Sequence, residues 1–143
     1  MFVLDTNVVS ELRKAKAGKA NPGVVAWAAS VPVGALFLSA ISVLELETGI
    51  LLRERRDVLQ GNVLRVWFTE HVLPAFSGRI LAVDCAVALQ CARLHIPDPR
   101  AERDALIAAT ALVHGMSVVT RNVADFALTG VAIINPWDPA TGH

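Results

Sequence analysis

The sequence predicts one α/β domain whose central, mainly parallel sheet of four to five strands is covered by helices on both faces. Short apolar runs alternate with stretches of helical periodicity along the whole chain, the pattern of a doubly wound sheet. Its 143 residues suit a single unit that buries a core unaided. No repeat, low-complexity tract or inter-domain linker divides residues 1–143.

Phe2 to Leu4 is an apolar run ending at Asp5, and Thr6-Asn7 then opens a helical pattern through Val8, Val9 and Leu12. Lys14 to Gly23 reads as an exposed loop, in which Asn21-Pro22 supplies a cap and a first-turn proline for a helix carrying Val25 and Trp27. Ala35 to Leu38 is a second buried strand. Ser42 opens a helix to about Arg53, and another spans roughly Arg56 to Phe76, weakened by Gly61. Arg79 to Val83 is a third strand, followed by a helix from about Asp84 to His95. Pro97 and Pro99 break the chain before a helix from Glu102 to His114 that ends at Gly115, a natural left-handed cap. Ser117 to Thr120 and Val131 to Ile134 are the last two strands, with a turn region at Asn122 to Gly130 between them. Residues 136–143 are expected to form a frayed tail.

The apolar share of 54% is high, and so is the mean hydropathy of +0.50. A membrane span is nevertheless disfavoured. The most apolar stretch, Val31 to Leu52, carries Glu45 and Glu47, and each would cost about 2.5 to 3.5 kcal/mol at a bilayer centre. No basic region precedes an apolar stretch at the start of the sequence, so no secretion signal is expected. Cys85 and Cys91, six positions apart in a predicted helix, point to different faces and are expected to be small buried thiols without a zinc site. His71, His95 and His114 read as isolated, and Trp27, Trp67 and Phe68 as packing residues. Glu47, Glu54, Asp57 and Glu70 read as solvated faces or i, i+4 pairs.

In a doubly wound sheet, ligands bind beyond the carboxyl ends of the strands. Asp5, Glu45, Asp104 and Asp125 are all predicted there. Four carboxylates within a few ångströms of one another stay ionised together when a hard divalent cation shares them. Capping explains the same positions, because acids are favoured at helix N-termini. Ser42 to Glu45 has capping-box spacing, and Asp5 and Asp125 suit N-cap or turn roles as well as ligation. Spacing leaves both readings open. Asp104 differs, since Ile107, Ala108 and Ala111 place it on the buried stripe of an apolar helix, where a carboxylate needs a cation nearby.

Leu4-Asp5-Thr6-Asn7, Leu38 to Leu46, Asp104 to Ala111, Thr120 to Phe126 and Ile134-Asn135-Pro136-Trp137, in that order, resemble the PIN-domain ribonucleases. The likeness is to VapC/FitB-type toxins of bacterial type II toxin–antitoxin pairs. It implies a PIN-like three-layer α/β/α fold and a metal-dependent endoribonuclease. Asp5, Glu45, Asp104 and Asp125 would be the catalytic cluster on Mg²⁺ or Mn²⁺, supported by Asn7, Thr120 and Asn122. It further implies an RNA substrate, a cognate antitoxin partner, self-association into dimers or a higher assembly, DNA contact through the antitoxin, and a cytoplasmic location. Glu102-Arg103 before Asp104 departs from the small or uncharged residues of similar sequences. Formal net charge is zero, so RNA contact has to be local, and Arg121 is the arginine assigned to it.

Two other readings compete. A receiver-like phosphoryl acceptor also gathers acids at a sheet edge, but it needs a lysine near the phosphate and none follows Lys19. A non-catalytic scaffold that holds an antitoxin on operator DNA would share the fold without the chemistry.

Overall fold

The computed structural model describes residues 1–138. Strands β1 (Phe2–Leu4), β2 (Leu36–Ser39), β3 (Ile80–Leu81), β4 (Ser117–Val119) and β5 (Ile133–Ile134) form one sheet in the order β3-β2-β1-β4-β5. Every pairing is parallel, with Val3 beside Phe37 on one side and Val118 on the other. The chain builds outward from β1 in one direction, then returns to add β4 on its other edge. That reversal creates a switch point between the carboxyl ends of β1 and β4.

Among the described residues, eight α-helices connect the strands: α1 (Thr6–Leu12), α2 (Pro22–Ala29), α3 (Ala40–Arg56), α4 (Val58–Trp67), α5 (Leu73–Ala75), α6 (Cys85–Leu94), α7 (Glu102–Val113) and α8 (Val123–Phe126). Asn21 caps α2 as expected, its Oδ1 accepting from the amides of Gly23 and Val24. Gly115 takes φ 66°, the left-handed cap expected after α7.

Two expected boundaries move for identifiable reasons. Ser39, not Ser42, caps α3, its hydroxyl accepting from the Ile41 amide. The helix expected from Arg56 to Phe76 is interrupted at Asp57, which caps α4 by accepting from Gln60, and its last stretch widens into π-type turns at Phe68–Val72 before Pro74. Proline has no amide to donate, which favours such a local rearrangement. The turn region at Asn122 to Gly130 holds the short helix α8.

Alternation along the strands divides the core into two layers. Leu4 and Val119 face one side, with Val8, Val9, Val24, Trp27, Ile50 and Phe68. Val3 and Val118 face the other, with Ile107, Ala108, Ala111 and Phe126. A smaller cluster of Val87, Cys91, Ala105 and Ala109 joins α6 to α7. Among the described residues no helix is long and apolar enough to cross a membrane.

The expected frayed tail is corrected where it falls within the described residues. Pro136 is buried and Trp137 packs on the first layer. The Pro136 carbonyl approaches Gly23 so closely that it leaves no room for a Cβ there. Positions 139–143 lie outside the described residues. Cys91 is a buried free thiol as expected, whereas Cys85 is exposed at the first position of α6.

Glu47 and Glu54 are also corrected, because both pair across the α3–α4 hairpin with Arg65 at 2.6 to 3.3 Å. Gly61 lets these helices meet: a Cβ there would lie 2.6 Å from Glu54 Cα and 3.0 Å from its amide nitrogen. Gly61→Ala adds about 0.5 to 1 kcal/mol of helix propensity. The backbone clash costs about 1 to 3 kcal/mol and outweighs it. The variant is therefore expected to melt several degrees below the parent in thermal denaturation followed by circular dichroism.

Candidate active site

Asp5 leaves β1 at the switch point, its amide donating to the Val119 carbonyl of β4 at 2.9 Å. The side chain is almost sealed, at 5% exposure. Its Oδ1 accepts from the Thr6 amide at 2.8 Å, capping α1, while Oδ2 accepts from the Thr120 hydroxyl at 2.8 Å and Asn7 Nδ2 at 3.2 Å. Thr120 is itself fully buried and accepts from the Asn122 amide at 2.9 Å. The three polar residues expected to support the acids thus form one chain of donors behind Asp5.

Glu45 enters from α3. With α3 beginning at Ala40, Glu45 stands in the second turn and the capping-box alternative falls away. Its Oε1 accepts from the Thr6 hydroxyl at 2.7 Å, and that hydroxyl lies 3.1 Å from Ser42 Oγ. Thr6 and Ser42 were not singled out from the sequence. The usable signal was a hydroxyl directly after Asp5 and another one helical turn before Glu45.

Asp104 stands in the first turn of α7, where no side chain caps the helix. Asp5, Glu45 and Asp104 line one cavity of about 410 Å³ with Thr6, Asn7, Ser10, Glu11 and Asn122. Asp125 is exposed on α8 and stands outside that lining, yet close enough to act on Asp5 and Asp104 electrostatically. Burial first, then Asp125, Asp5 and Glu45, push the Asp104 carboxyl up to about 6. Burial likewise raises Asp5 despite its hydrogen bonds from Thr120 and Thr6, with Glu45 and Asp125 adding to the effect. The cluster is looser than the few ångströms expected from the sequence: no three of these acids bring one oxygen each within 4.8 Å of one another.

A PIN-domain family model matches residues 2–130. The chain belongs to the PIN-domain family. A VapC ribonuclease of Sinorhizobium fredii is 39% identical to it, over 98% of this chain and 100% of that protein. Toxin FitB of Neisseria gonorrhoeae is also 39% identical, over 96% of this chain and 99% of FitB. A solved structure of FitAB bound to a DNA fragment matches with a TM-score of 0.83 and 36% identity, covering 100% of both chains. The parallel five-stranded sheet between helical layers is the PIN-like fold expected from the sequence.

A second group of potential ligands lies elsewhere in this PIN domain and corrects the reading of His95 as isolated. Cys91 and His95, one turn apart on α6, meet Glu102 at the start of α7, with Sγ 3.7 Å from Nε2 and 3.9 Å from Oε1, and Nε2 3.2 Å from Oε2. The i, i+4 spacing was the overlooked signal. His95 Nδ1 already accepts from the Arg100 amide at 3.0 Å, so the neutral ring carries its proton on Nε2, facing Glu102. A metal on Nε2 would need that proton moved to Nδ1, against the Arg100 amide. The three side chains form a hydrogen-bonded clasp between α6 and α7.

The raised Asp104 sets a pH dependence. Between the ordinary carboxylate value and about 6 the folded chain binds more protons than the unfolded chain, so stability falls as pH rises through that window. Melting temperatures measured with a chelator present should decline from pH 4 to pH 6, and Asp104→Asn should flatten the decline and melt higher at pH 7.

Proposed function

We propose that this PIN domain is a metal-dependent endoribonuclease that acts as the toxin of a toxin–antitoxin pair. The observation that carries the proposal is the convergence of Asp5, Glu45 and Asp104 on one cavity, with Asp104 raised to about 6 and no basic side chain paired with it. An all-oxygen, anionic donor set in which only Glu45 meets a cationic side chain, Arg103 at 3.9 Å, suits a hard divalent cation. Asp5 and Asp104 would mainly hold Mg²⁺ or Mn²⁺, with Asp125 or Glu45 assisting. When bound, the cation supplies a lowered pKa for water and charge neutralisation at the phosphodiester.

The chain's own residues supply the rest. Thr120 and Asn7 keep Asp5 Oδ2 oriented, and Thr6 fixes one oxygen of Glu45 so that the other can orient the attacking water. Ser42, fully buried, backs Thr6 and so fixes the Asp5 and Glu45 walls relative to each other.

The named relatives support this reading, since one is called a ribonuclease and another a toxin. FitAB bound to DNA supports a reading in which this chain meets DNA as part of a complex; an antitoxin that silences it and brings it to DNA, self-association into dimers and a cytoplasmic location belong to the same proposal. The same likeness favours a second reading, a scaffold that serves the DNA-bound complex without cutting RNA. Cleavage by the free protein separates the two.

Asp5→Asn is expected to lower RNA cleavage by at least about 100-fold with an unchanged circular dichroism spectrum. Cleavage by the variant at the parent's rate would refute the assignment. Chelation should stop cleavage, and added Mg²⁺ or Mn²⁺ should restore it. Thr120→Val should weaken the metal requirement's midpoint by about 10- to 100-fold, read by titrating the metal against the cleavage rate.

A further inference from the structure

Four acids around one cavity repel a polyanion, and a formal net charge of zero gives the chain no general attraction for one. Any RNA held there needs cationic groups at the rim with donors still available. Three arginines are already engaged elsewhere. Arg65 is taken by Glu47 and Glu54, Arg79 by the carbonyls of Val33, Leu36 and Ala75, and Arg100 by those of Leu94 and Ala127. Two arginines beside the cavity differ. Arg103 is half exposed and meets Glu45 Oε2 at 3.9 Å, too far for a hydrogen bond. Arg121 lies near Glu11, a lining residue, and its amide donates to Asn7 Oδ1 at 3.4 Å. Its guanidinium carbon lies 5.6 Å from the centroid of the Trp137 ring, a cation–π contact that uses no N–H donor.

We propose that Arg103, at the Glu45 wall, and Arg121, at the Glu11 wall and over Trp137, form a two-arginine bracket that holds the RNA phosphates flanking the one placed at the acids. The bracket rests on the nuclease reading of the site. Arg103 is the member that the sequence marked only as a departure, and its place beside Asp104 gives that departure a task. Its loose contact with Glu45 keeps the guanidinium at the rim until a phosphate offers a bidentate partner. These contacts fix position and carry no base preference.

The test measures binding apart from cleavage. A fluorescein-labelled single-stranded RNA oligonucleotide is titrated with Asp5→Asn protein by anisotropy across a salt series. Adding Arg103→Gln or Arg121→Gln should each weaken binding and reduce the salt-dependence slope by about 0.7. Arg103→Lys should keep the slope but lose part of the affinity, because the fork is gone. In the cleavage-competent protein, Arg103→Gln should raise KM several-fold and leave kcat within about twofold. An unchanged slope for Arg103→Gln, or a fall in kcat with KM constant, would overturn the bracket and make Arg103 a positioning residue for Glu45. Should the arginine variants shift the slope while the parent cuts no RNA with Mg²⁺ or Mn²⁺, the nuclease reading fails, and the bracket is overturned as a cleavage device although both arginines bind RNA.

Discussion

The Thr120 hydroxyl donating to Asp5 across the seam between β4 and β1 is the contact on which the site depends. A carboxylate at 5% exposure is costly to keep charged unless its oxygens are bonded. Thr6, Asn7 and Thr120 supply those bonds from two strands' ends that the sheet order alone makes neighbours. The parallel register of β1 and β4, with Leu4 beside Val119, sets where Asp5 and Thr120 emerge.

From that seam the site divides into a fixed half and an adaptable half. Asp5 and Glu45 are tied together through Thr6, one by its amide and the other by its hydroxyl. Asp104 and Asp125 have no such anchorage, and at Asp104 burial and the neighbouring charges go unrelieved. A rigid pair with a responsive pair suits a centre that must change its net charge when a cation and a polyanion arrive together. The clasp of Cys91, His95 and Glu102 limits that freedom from behind by tying the start of α7 to α6.

Much of this was readable in the residues. β-runs alternating with helices gave the layered architecture, and acids following strands fell at the sheet edge where such folds gather ligands. The apolar stripe of α7 marked Asp104 as a carboxylate held partly out of water, and burial does push its carboxyl up to about 6. What sequence could not resolve was the phase of local structure around a few polar residues. Ser39 and Ser42 are both plausible caps for α3, and the choice decides whether Glu45 bonds back to its own helix or reaches Thr6. Cys91 and His95 were judged separately although one helical turn joins them. The tail was read as loose because Trp137 finds its partners, Arg121 and the first core layer, far away in sequence.

Glu102, Arg103 and Asp104 are consecutive, and each faces a different neighbour: the α6 clasp, the Glu45 wall and the cavity. Successive helical residues are set about 100° apart, so a single inserted or deleted residue in that turn would swing all three onto the wrong companions at once. Length variation in related chains should therefore gather in the proline-containing loop before α7 and spare its opening turn, whatever the composition of the loop itself.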